Sequence, residues 1–146
     1  MVEFGVSVLK KFIVFMMLSI FAFASMQKIE QKICNKILLS IFKEKRFIKV
    51  WSNSRSSFEN LKDEKFLFVE ISDQADILIV DHYEDILADK PIFVKKYHLL
   101  RKYKDRTIGG FYWQKGRPNI IFLKSNLKKY NIKLPDEFSR YVEESR

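Results

Sequence analysis

Hydrophobic positions near the start of the chain form one nearly continuous block and then settle into two shorter periods. Phe12 to Ala24 is a thirteen-residue apolar run interrupted only by Ser19, and Lys10 and Lys11 stand immediately before it. A helix that spans a bilayer needs about 20 apolar residues, so the run is short for a crossing. It ends in Ala22-Phe23-Ala24, small residues at the two positions a signal peptidase reads, and polar sequence from Ser25 follows at once. A basic start, a short apolar centre and an Ala-x-Ala site make a secretory signal peptide. Residues 1–24 are therefore read as a cleaved leader that delivers residues 25–146 to the periplasm. The alternative is an uncleaved N-terminal helix that anchors the chain in the inner membrane, with Val2 to Leu9 joining the run. Glu3 and the lysine pair oppose a single long span.

After the leader, Ile29, Ile33, Ile37, Leu38 and Ile41 recur at helical spacing, which predicts a helix over Met26–Phe42 with these residues facing inward. Six short runs rich in β-branched and aromatic residues predict strands: Phe47–Trp51, Phe66–Ile71, Ile77–Val80, Ile92–Val94, Ile108–Trp113 and Ile120–Leu123. Helices are expected between them at Ser54–Leu61, Lys95–Tyr103, Asn126–Tyr130 and Asp136–Glu144. Lys115-Gly116-Arg117-Pro118 reads as a hairpin turn, which makes the last two strands antiparallel. The earlier strands alternate with helices and should run parallel. The expected fold is α/β: a single three-layer Rossmann-like domain with a mixed five- or six-stranded sheet and a C-terminal antiparallel hairpin.

Composition narrows the chemistry. With 47% hydrophobic residues and fourteen Phe among 146 residues, the chain belongs to neither the disordered nor the low-complexity class. One Cys and two His cannot build a structural zinc site or an internal disulfide. Cys34 lacks a lipid-anchor context and reads as a small buried hydrophobe, with an intermolecular bond as the alternative. Charge is segregated: residues 59–89 carry a net −8, and residues 90–133 a net +12. Such a basic block attracts an acidic protein surface, anionic lipid headgroups or a phosphorylated ligand. A solvated basic surface fits equally well. Export argues against nucleic acid as the partner.

Candidate residues fall into two groups. Lys95, Lys96, His98, Arg101 and Lys102 share a predicted helix whose Leu99, Leu100 and Tyr103 face inward, and Lys115 and Arg117 stand at the hairpin tip. These seven form the partner-binding set, whereas Phe111 and Trp113 are assigned to the core. Ser54, Arg55, Ser56 and Ser57 follow the first strand and lead into a helix, where free N–H groups and an arginine suit a small anion. Ordinary N-capping by the same serines is the simpler reading. Asp73, Asp76, Asp81, His82, Glu84 and Asp85 flank the central strand, but no second His or thiolate stands at ligand spacing. Without a Gly-x-Ser-x-Gly elbow either, no catalytic residue, metal or cofactor is assigned.

One stretch carries a recognisable pattern. Ala75-Asp76-Ile77-Leu78-Ile79-Val80 is followed by Lys90-Pro91-Ile92-Phe93-Val94 and Ile108-Gly109-Gly110-Phe111-Tyr112-Trp113. The Gly116-Arg117 turn, Asn119-Ile120-Ile121-Phe122-Leu123, Asn126-Leu127 and Ile132 to Phe138 complete it. From about Ala75 to Tyr141 this resembles the YfiR-like family of small exported α/β proteins. The resemblance implies a periplasmic protein that is not an enzyme. It also implies a partner, the periplasmic sensor domain of an inner-membrane diguanylate cyclase, which the bound family member holds inactive. Family members often carry disulfide cysteines, and Cys34 alone cannot form one internally. A fixed structural part of an envelope motor or secretion apparatus, a small anion-binding periplasmic module and a homo-oligomer remain open alternatives.

Overall fold

Nothing between Val6 and Ile41 breaks a helix, since this stretch holds neither Gly nor Pro. The apolar run and the predicted Met26–Phe42 helix accordingly merge into one rod, α1 (Val2–Ile41), 40 residues long. The computed structural model of the chain describes residues 2–54, 61 and 63–144. Of these, α1 is the one helix long and apolar enough to cross a membrane, and none of its apolar window is buried in the domain. This N-terminal apolar helix has the character of a signal sequence or a membrane anchor.

The second half of α1 belongs to the domain. Cys34, Ile37 and Leu38 are buried, and Ile33 and Ile41 are half-buried against them. Ile29 departs from the expected inward stripe and is exposed. That turn still meets the domain through Glu30 and Lys95, but Ile29 itself points away from the sheet.

Seven strands follow: β1 (Ile48–Ser52), β2 (Phe66–Phe68), β3 (Ile77–Val80), β4 (Ile92–Val94), β5 (Thr107–Gln114), β6 (Arg117–Leu123) and β7 (Val142–Glu143). They form one sheet in the order β2-β1-β3-β4-β5-β6-β7, parallel except for the β5–β6 hairpin. The mixed α/β sheet is thus as expected, but the strands number seven and not five or six. The additional one is β7, where a helix was expected over Asp136–Glu144. A 3-10 segment over Asp136–Tyr141 occupies most of that range, and Val142–Glu143 then pairs with Phe122–Leu123. Two residues are too few to leave a readable period.

Both faces of the sheet are covered, which gives three layers. Ile48, Val50, Ile77, Ile79, Phe93 and Phe122 meet α1, Leu127 of α3 (Lys124–Lys129), and Phe138. Leu78, Val80, Ile92, Val94 and Ile121 meet Ile86, Ala88, Leu99, Leu100 and Tyr103 on the opposite side. Leu99 and Leu100 belong to α2 (Leu99–Lys102). Leu61, between β1 and β2, packs on the α1 face, while the connections after β3 and β4 return on the other. Strand order reverses between β1 and β3, the place where doubly wound sheets open a crevice.

Two glycines set the geometry of β5. Register slips between β4 and β5, with Ile92 opposite Thr107 but Phe93 opposite Gly109. The extra residue turns Ile108 into the α1-side core. A Cβ on Gly109 would lie 2.5 Å from the Ile121 carbonyl oxygen, and one on Gly110 2.8 Å from that of Val94. Only glycine lets the neighbouring backbones approach so closely. At the hairpin, Gln114 pairs with Arg117, so the turn is the two residues Lys115 (φ 51°) and Gly116 (φ 73°). Both angles are positive, which is the turn that matches strand twist.

Candidate interaction surface at the carboxyl edge of the sheet

The crevice at the β1/β3 reversal is filled by the chain itself. Asn53, just past β1, donates from Nδ2 to the His82 carbonyl at 2.8 Å and accepts from the Asp81 N–H at 2.9 Å. Its side chain pins the loops after β1 and β3 together. Ser52 Oγ accepts from the Ser54 N–H at 3.2 Å, closing a tight turn. Of the expected anion site only Ser54 can be placed here; Arg55, Ser56 and Ser57 lie outside the described residues, as does most of the helix expected at Ser54–Leu61.

The expected helix over Lys95–Tyr103 shrinks to α2, a single turn. Lys95 is still engaged by the sheet, its N–H donating to the Val80 carbonyl at 3.0 Å, so helical geometry cannot begin there. Lys95 is also withdrawn from the surface. Its ammonium pairs with Glu30 of α1, and only 8% of its side chain is exposed. Lys96 stays at the surface but contacts Asp81 at 3.3 Å. His98, Arg101 and Lys102 are exposed, with the Lys102 Nζ 5.4 Å from the centre of the Tyr83 ring. Lys115 and Arg117 are exposed at the hairpin tip. Behind them Phe111 is buried and Trp113 half-buried, edge to face at 5.6 Å.

The structure thus gathers Ser54, Lys96, His98, Lys115 and Arg117 at one end of the molecule, because parallel strands deliver their following loops to the same edge. Arg101 and Lys102 sit farther along, on the flank of α2.

A further surface residue escaped the sequence. The loop from β3 to β4 buries Ile86 and Ala88 but turns Leu87 outward, 97% exposed. That loop is held firmly. The Tyr103 hydroxyl accepts from the Glu84 N–H at 2.9 Å and donates to the Glu84 carbonyl at 2.6 Å, while Arg106 donates to the carbonyls of Ile86 and Ala88. Arg106, a member of the basic block, is therefore a structural clamp. A lone leucine between two apolar neighbours gives no sequence signal of its direction.

The acidic residues disperse into local contacts. Asp76 accepts from the Lys49 N–H at 2.9 Å and pairs with Lys45 at 3.0 Å, and Asp85 accepts from the Tyr83 hydroxyl at 3.0 Å. Among the described residues no three His, Cys, Asp or Glu side chains meet closely enough to hold a metal ion. Burial pushes the Cys34 thiol up to about 12, so it is a packed side chain with no nucleophilic character at neutral pH. At the opposite edge an open groove of about 510 Å³ lies between Ser40–Lys45 and Tyr130–Pro135.

What the carboxyl edge displays is exposed cations, a histidine and hydrogen-bonding groups. No model of a known protein family matches the chain, and no curated protein matches it in sequence.

Proposed function

We propose that this chain is a non-enzymatic adaptor of the bacterial envelope, carried across the inner membrane by α1 and acting there by binding another envelope protein. The observation that carries this reading is α1 itself: an exposed apolar half continues directly into a half that is part of the domain core. An apolar N-terminal helix of this kind supports a chain addressed to the membrane. The resemblance to YfiR-like proteins supplies the candidate partner, the sensor domain of a membrane-bound diguanylate cyclase. Binding would act through a difference in affinity, shifting the partner toward the conformation it holds more tightly. Each tenfold preference corresponds to about 1.4 kcal/mol.

In this reading the leader is removed after Ala24 and the domain is periplasmic. A second reading keeps α1 uncleaved as an anchor, its apolar half crossing the inner membrane. Crosslinked capture of the tagged chain from membranes tests the adaptor role. A single recovered cyclase supports it, and weaker recovery on charge reversal at Lys96, Arg101 and Lys102 locates the contact. Co-purification of a multi-ring assembly would instead make the domain a fixed structural part, and capture of no envelope protein would refute the adaptor.

A further inference from the structure

The direction of α1 relative to the strands is fixed by contacts at both of its domain ends. Near its C-terminus, Lys65, just before β2, donates to the carbonyls of Phe42 and Lys43. At the other end Glu30 meets Lys95, just after β4. The helix therefore runs antiparallel to the parallel strands, and its apolar half leaves the domain past their carboxyl ends. The hairpin leaves the same way. Val94 pairs with Gly110, and β5 continues four residues farther to Gln114. At about 3.3 Å per residue that is about 13 Å beyond the end of β4. On α1 the same distance takes about nine residues, at about 1.5 Å each. Counted back from Glu30, the tip comes level with the last turns of the apolar run that ends at Ala24.

We infer that, in the chain that keeps α1 as its anchor, the tip of the β5–β6 hairpin rests on anionic phospholipid headgroups at the point where the helix enters the bilayer. The inference rests on the second reading above. Charge supports it. Lys115 and Arg117 stand at the tip with no acidic partner among the described residues, and Lys28 and Lys32 are exposed on the adjoining turns of α1. The one acidic side chain on those turns, Glu30, is already paired with Lys95. Half-buried Trp113 and exposed Tyr97 lie toward the same edge, and aromatic rings of this kind favour the headgroup level. Basic residues held against a negatively charged surface gain attraction that adds with each cation and decays within the screening length.

The test uses the full chain in vesicles of phosphatidylcholine with or without phosphatidylglycerol, plus a lipid carrying a nitroxide on its headgroup. A fluorophore is placed at Gln114→Cys in one sample and at Lys133→Cys, by the opposite edge, in another; the buried Cys34 stays unlabelled. The expected result is strong quenching at position 114 in anionic vesicles and weak quenching at position 133. The double change Lys115→Glu and Arg117→Glu should weaken docking of the tip roughly 30-fold, equivalent to about 2 kcal/mol. Equal quenching at both positions, or no response to charge reversal, in a chain that still floats with the vesicles overturns the inference and leaves the anchor intact. A tip that crosslinks to protein in native membranes and is not quenched by lipid overturns it equally. A chain that does not float with the vesicles at alkaline pH refutes the anchor itself, and the docked hairpin with it.

Discussion

Glu30 on α1 and Lys95 at the end of β4 form an ion pair largely withdrawn from solvent, and it joins the helix that leaves the domain to the edge past which it leaves. Removing one member strands the other charge in a poorly solvated place. Glu30→Gln or Lys95→Met alone should cost about 3 kcal/mol, whereas a double replacement by apolar residues of similar size should cost much less. Denaturant titration of the four proteins gives the coupling directly. Additive single losses would mean that the two groups act independently.

Cys34 sets a limit on stability in alkali. Burial raises its thiol from 9.0 to about 12, so the folded protein holds a proton that the unfolded chain releases. The contribution is complete below pH 9 and is lost as pH climbs toward 12, by roughly 1 kcal/mol per unit. Cys34→Ala should flatten the fall in stability between pH 9 and 11 while lowering it at pH 7 through lost packing. An unchanged slope would show that some other group governs the alkaline limb.

Gly109 and Gly110 leave no room for a methyl group. Either one replaced by Ala should destabilise by about 1–3 kcal/mol, since the atoms met include backbone carbonyls, which cannot swing aside, as well as the side chains of Phe122 and Val94. Thermal unfolding measures this. Gly116→Ala is a useful contrast, because a Cβ there meets open space and only the positive φ is disfavoured. A loss of about 1 kcal/mol is expected for it.

Asn53 closes the reversal of the sheet with one donor and one acceptor. Asn53→Asp keeps the acceptor for the Asp81 N–H and gives up the bond to the His82 carbonyl. Its second carboxylate oxygen then faces that carbonyl oxygen, so the variant should cost about 2 kcal/mol, and Asn53→Ala, which loses both bonds, a similar amount. Hydrogen exchange at the Asp81 amide reports the difference, and should quicken markedly only in the alanine variant.

Much of this architecture was legible because its elements carry strong local signals. Ile77–Val80 and Ile92–Val94 are uninterrupted apolar runs rich in β-branched residues, as strands buried on both faces tend to be, and both form over the expected residues. The Lys115-Gly116 turn likewise announces its hairpin. What failed to show were elements made by tertiary contact. β7 exists only because Val142 finds Phe122. The expected helix from Lys95 yields to a sheet hydrogen bond, and Ile29 of the expected stripe on α1 points away from the sheet and is exposed. The edge residues were legible as charged positions. Whether a lysine such as Lys95 is spent on Glu30 or offered to a partner depends on a residue sixty-five positions away, which no local pattern encodes.

Protease accessibility in intact spheroplasts tests the central claim most directly. With a tag after Arg146, the account predicts that protease added outside removes the tag while a cytosolic control stays whole, whether or not α1 has been cut. A tag that survives until the inner membrane is lysed would place the folded domain on the wrong side of that membrane and contradict the account.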